Sequence, residues 1–195
     1  MARWQSLTGG PLLVVIGEAL IVLCSLSYLV WWTITFRPSA RSPHGGGPFL
    51  AGAVLAGLGG LVLLAVGIVA LLPRASWPAL VVTIVGGVVV GALLLQLTSR
   101  VAHRPVTTEL PLIIVWGTMQ VAAGVTLRTA GVRTVPAASA WFVAIAVATL
   151  VGLACYLVFY QLDPVPAYWV GMVPLAVDGL VAAFLAVVVA VTRLP

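Results

Sequence analysis

From Pro11 to Phe36 the chain meets a single charged side chain, Glu18, and five later stretches of similar length carry none, one or, near 108–129, two. A run of about 20 apolar residues is what a helix needs to cross the hydrocarbon core of a bilayer, and in that solvent only structures that satisfy their own backbone survive. The stretches lie near residues 11–34, 49–72, 78–97, 108–129, 138–160 and 168–191. Clusters of Pro, Gly and Arg separate them, because Pro and Gly end helices and Arg is costly in hydrocarbon. The expected fold is therefore all-α: a polytopic integral membrane protein, a compact bundle of six transmembrane helices with short loops. One transmembrane domain spans 1–195, since six crossings leave no length for a separate soluble domain. Composition agrees, with 63% apolar residues, 7% charged residues and a mean hydropathy of +1.24, where soluble domains carry roughly 25% charge.

The nine basic residues are all Arg, scattered singly or in twos between apolar blocks. That placement fits contact with lipid phosphates and excludes a nucleic-acid surface, which would need the charge gathered on one face. With six crossings both termini share a side. Arg3, Arg74, Arg128, Arg133 and Arg193 lie there, against Arg37, Arg41, Arg100 and Arg104 on the other side. Positive-inside bias then places the termini in the cytoplasm by one Arg. Trp31, Trp32, Trp77, Trp141, Tyr160 and Trp169 stand near span ends, where an interfacial aromatic belt is expected. Trp116 alone lies deeper, about eight residues into the fourth span.

Small residues recur at every fourth position: Gly52, Ala56 and Gly60; Thr83, Gly87 and Gly91; Ala140, Ala144, Ala148 and Gly152; Ala182, Ala186 and Ala190. Such rows let helix backbones approach closely, within the bundle or toward other membrane subunits or a second copy. Membrane lipids are the other expected partner. Cys24 and Cys155 sit inside apolar runs as small packing residues.

Two carboxyl groups lie within spans, Glu18 and Asp178. Charged groups inside a membrane are costly, so they tend to face the bundle interior and to mark ion or substrate paths. Counted from the side of the termini, Asp178 is about 13 residues deep and Glu18 about 7, a difference of roughly 9 Å. That separation is too large for one shared proton and suits two stops on a single path, lined by Gln120 and Thr126 of the fourth span. Glu18 needs a counter-charge or a hydrogen-bond donor from a neighbouring helix. Arg128 is the cation nearest to its depth.

A second set of residues lies on the face away from the termini. Arg37, Arg41 and His44 in the first connection and Arg100, His103 and Arg104 in the third form candidate headgroup contacts, with Glu109, Trp116 and Trp169 around an expected shallow vestibule. Arg37 with Pro38, then Ser42, Pro43, His44 and Gly45, then Ser99, Arg100 and His103 resemble, in order, the three motifs of membrane lipid phosphatases of the phosphatidic-acid type. No Lys precedes Arg37, the Pro-Ser-Gly-His string is absent, and His103 follows Arg100 too closely. No cofactor and no metal is expected, as neither His lies in a span and no nucleotide loop or ligand cluster occurs. Three functions follow in order: a transport-related membrane protein using intramembrane carboxylates, a non-catalytic accessory subunit of a larger membrane complex, and a lipid- or phosphate-directed enzyme.

Overall fold

The computed structural model describes residues 9–37, 46–73, 76–101, 103, 109–131 and 135–191. It is all-helical over those residues, with α1 Gly10–Phe36, α2 Gly47–Leu71, α3 Trp77–Arg100, α4 Glu109–Thr129, α5 Val135–Phe159 and α6 Pro164–Val191. All six are long and apolar enough to cross a membrane. Every helix carries a proline within its first three positions: Pro11, Pro48, Pro78, Pro111, Pro136 and Pro164. A proline is at home there, since the first turn has no intrahelical use for its missing N–H. This corrects two expected boundaries. α5 begins at Val135 rather than near 138, and α6 at Pro164 rather than near 168, because prolines read as terminators are in fact starters. α4 closes on Gly131, whose φ of 72° is left-handed, with the Gly131 N–H donating to the Arg128 carbonyl at 3.1 Å.

Contacts at the glycines fix how neighbouring helices run. Gly10 meets Gly67, Gly17 meets Gly60, and Gly46 meets Trp31, so α1 and α2 are antiparallel in one register. Gly87 against Thr118 and Gly91 against Ile114 make α3 and α4 antiparallel. Gly117 against Thr149, Gly124 against Trp141 and Gly152 against Ile113 do the same for α4 and α5. On the other flank of α1, Gly171 meets Trp32 and Gly179 meets Ser25, which sets α6 antiparallel to α1. Seven residues separate Gly10 from Gly17 and Gly60 from Gly67. That interval is two turns, the repeat of a left-handed helix pair.

The packing order closes on itself. α1 packs on α2 and α6, α6 on α5, α5 on α4, and α4 back on α2, so five helices form a ring. α3 rests on α4 outside that ring and is the least buried of the six, while α4 is the most buried and the least apolar. The core runs through Val14, Ile21, Leu64, Leu127, Trp141 and Leu185. Toward the outside, long rows of Val and Leu such as Val82, Val85, Val88 and Leu93 of α3 are exposed, as a lipid-facing surface requires.

Candidate functional site

Glu18 lies two turns into α1, on the side facing the ring interior, and is fully buried. Gln120, on the opposite wall in α4, is also fully buried, and its Nε2 donates to Glu18 Oε2 at 3.0 Å. A hydrogen bond across the ring thus joins two of the residues named as path candidates from the sequence, Glu18 and Gln120. Arg128 does not take part. It is exposed at the end of α4, so a donor from across the ring, not an ion pair with this Arg, meets Glu18 Oε2. Gln120 is held in turn by α5: Trp141, with no exposed surface, donates its indole N–H to the Gln120 carbonyl at 2.9 Å. Gly124 makes that possible, since a Cβ there would lie 2.8 Å from Trp141 Nε1. Trp141 is therefore a core residue bracing the site, which corrects its expected place in the interfacial belt.

Three more polar atoms of α4 are buried with no hydrogen-bond partner among the described residues: Trp116 Nε1, Gln120 Oε1 and Thr126 Oγ1. Trp116 is one turn from Gln120 on the same side of α4, and Thr126 is six residues nearer the termini. In axial terms the offsets are about 6 Å and about 9 Å. A buried polar atom without a partner costs about 1–3 kcal/mol, so such atoms are uncommon and concentrate where a site has another use for them. All three share the helix that contributes Gln120.

Asp178 sits on α6 beside Gly179, which packs on Ser25. Ser25 is seven residues along α1 from Glu18, so the carboxyl groups are about 10 Å apart along the axis, close to the separation expected from the sequence. Asp178 is half-buried and makes no hydrogen bond or ion pair among the described residues. Beyond it, Trp32 donates its indole N–H to the Tyr168 carbonyl at 3.2 Å. Its ring covers Gly171 so closely that any side chain there would overlap it. Pro174 stands between that contact and Asp178 and leaves the Val170 carbonyl without its helical donor.

The aromatic residues at the end of α1 join those of α5. Trp31, Trp32 and Phe36 stack edge to face or tilted, Trp32 reaches Phe159, and Phe159 touches Tyr160. Tyr168 packs on Trp169, which is exposed. Trp116 stands apart from this cluster, buried inside the bundle. Of the candidate headgroup residues, Arg37, Arg100 and His103 are exposed and make no hydrogen bond or ion pair among the described residues. α1, which ends just before Arg37, and α3, which ends in Arg100, are not among the helix pairs that pack together. His103 has a left-handed φ of 51°. Arg41, His44 and Arg104 lie outside the described residues, as does the side chain of Glu109. A shallow apolar groove on α1, lined by Leu26, Leu29, Val30, Thr33 and Ile34, holds neither carboxyl group.

No protein-family model, no curated protein and no solved structure matches this chain.

Proposed function

We propose that this integral membrane protein is transport-related and moves a small ion past Glu18 and Asp178. The observation that carries this reading is the hydrogen bond from Gln120 to Glu18 in the interior of the ring. A carboxyl group that served only to join two packed helices would sit at their seam. Glu18 instead reaches a helix on the far wall, the one that carries three buried polar atoms without partners among the described residues. The separation of Glu18 from Asp178 supports two consecutive stops, the second lying below the Trp32 and Gly171 contact. Purified protein in sealed vesicles tests the reading: an ion gradient should dissipate faster than in protein-free vesicles, and Asp178→Asn or Glu18→Gln should abolish the difference while leaving expression of the Asp178 variant intact. Equal dissipation with and without protein, for protons and for alkali cations, refutes it.

An accessory-subunit role is the second reading, and Asp178 favours it, because a half-buried carboxyl group without a partner among the described residues is what a cationic side chain of a neighbouring subunit would pair with. That reading requires Asp178→Asn to weaken assembly with the neighbouring subunit and to leave ion permeability of the vesicles unchanged.

A further inference from the structure

The outer face of α1 carries a groove that runs up to a cation. Leu26, Val30, Thr33 and Ile34 line it, and steps of three and four residues put them on one side of the helix. Arg37 is the next member of that row, four residues past Thr33 and three past Ile34. Its φ of −60° keeps the helical direction, so its side chain starts on the same face. Arg37 is exposed and, among the described residues, forms no hydrogen bond or ion pair, not even with Asp163 at the same end of the bundle. Trp32 and the exposed Trp169, linked through the Tyr168 carbonyl, lie about 8 Å deeper, where the interfacial aromatic belt is expected. Arg37 therefore stands at headgroup level, with the groove beneath it in hydrocarbon.

The groove has a volume of about 300 Å³, roughly ten times a water's share of the liquid. Thr33 is its one lining residue with a polar side chain, and that hydroxyl donates to the Leu29 carbonyl at 2.8 Å. The lining thus offers nothing to hold water or a polar ligand, and its carbon atoms lose dispersion contacts unless hydrocarbon fills the gap. We infer that one acyl chain of an anionic phospholipid lies in this groove with its phosphate on Arg37. The chain alone is not selected, because bilayer hydrocarbon is as good a neighbour for it as Leu or Val. Selection comes from the guanidinium, whose fork of N–H donors fits two phosphate oxygens. A zwitterionic lipid brings its own cation beside Arg37, and an anionic one does not. Arg100 shows what the site requires: it is equally exposed at the end of α3, but the turn beneath it presents the polar, exposed Gln96. The site stands apart from the transport reading and does not depend on it.

The test uses the purified full-length chain in mild detergent, stripped of lipid and titrated with dioleoylphosphatidylglycerol or dioleoylphosphatidylcholine, with bound lipid counted by native mass spectrometry. One phosphatidylglycerol should bind about tenfold more tightly than phosphatidylcholine, the scale of one charge-assisted hydrogen bond. Arg37→Gln should remove that preference, while Arg100→Gln should leave it nearly unchanged. Val30→Trp, which fills the groove from a lipid-facing position, should weaken phosphatidylglycerol binding several-fold with Arg37 in place. Equal affinity for the two lipids, or an equal loss in both Arg variants, reduces the effect to general surface attraction and overturns the site. Undiminished binding in Val30→Trp overturns the groove's part in it. Disulfide-linked dimers of Val30→Cys in native membranes, in a chain without Cys24 and Cys155, would seat a second copy in the groove and overturn the lipid assignment.

Discussion

The seam between α1 and α2 gives the sharpest quantitative test of the packing. A Cβ added at Gly60 would lie 2.9 Å from the Gly17 carbonyl oxygen and 2.9 Å from Ile21 Cδ1, and one at Gly17 would lie 3.0 Å from the Gly60 oxygen. Ordinary contact begins near 3.4 Å, so Gly60→Ala has to part the backbones by 3.4 minus 2.9, or 0.5 Å. A gap of about 0.5–1 Å already forfeits a quarter to a half of each dispersion contact it opens, and overpacking of this kind costs about 1–3 kcal/mol. Against that, Ala is favoured over Gly in a helix by about 1 kcal/mol. The net expectation is a loss of up to about 2 kcal/mol. Gly86 on α3 is the control, since a Cβ there meets nothing within 4 Å and Gly86→Ala should be neutral or stabilising by up to about 1 kcal/mol. The double variant Gly17→Ala with Gly60→Ala should cost less than the sum of its parts, because one separation relieves both clashes. Reversible unfolding in mixed micelles on titration with sodium dodecyl sulfate, followed by tryptophan fluorescence, measures all four. Equal stability of Gly60→Ala and Gly86→Ala, or strict additivity in the double variant, refutes the argument that this seam is set by backbone contact.

Three further outcomes are expected. Gln120→Leu removes the donor to a buried carboxyl oxygen and should destabilise the protein by about 1–3 kcal/mol in the same micelle titration, whereas Thr129→Val on the exposed end of α4 should not. Gly171→Ala should push the Trp32 ring off α6 and break its bond to the Tyr168 carbonyl, seen as a shift in tryptophan emission that is absent in a Trp32→Phe background. In intact cells, an impermeant thiol reagent should label Ser42→Cys and spare Ser76→Cys; the opposite pattern inverts the orientation drawn from the Arg count.

The six crossings were legible because lipid leaves a chain few choices: charge is kept out of a span, and its length is set by the membrane. Prolines misled at α5 and α6, where Pro136, Pro164 and Pro166 signal a helix start that a rule about breakers reads as a loop. The small-residue rows were legible in part. Gly87 and Gly91 do face α4, but in α2 the close approach uses Gly60 and Gly67, with Gly52 at the edge of contact. A four-residue rule finds rows and is blind to a seven-residue one. The partner of Glu18 shows the same limit in another coordinate. Depth can be counted along a sequence, which is why Arg128 stood out, but angle around the bundle cannot until the helix neighbours are known. Arg128 is eight residues from Gln120, about 80° round the helix and about 12 Å nearer its end. Trp141 was misplaced for a related reason, since distance from a span end says nothing about which way an indole faces.

What places the site is the order of the ring, and α4 carries most of the argument. A helix facing lipid on one side has to be apolar there, and α3, outside the ring, is Val-rich over its exposed surface. α4 touches α2, α3 and α5, so it has little lipid to face and tolerates Trp116, Gln120 and Thr126 in its middle. Its lower hydropathy is thus a consequence of being surrounded. The same surroundings raise the stakes for each polar atom it carries, because neither water nor headgroups can satisfy them from outside. Gln120 donates from its side-chain amide to Glu18 and accepts at its backbone carbonyl from Trp141, and this ties α1, α4 and α5 together at one depth. That polar contact lies roughly 10 Å along the bundle axis from Asp178. The two carboxyl groups thus sit in different backbone settings, Glu18 opposite the hydrogen-bonded centre of α4 and Asp178 one turn past Pro174, where α6 lacks a helical hydrogen bond.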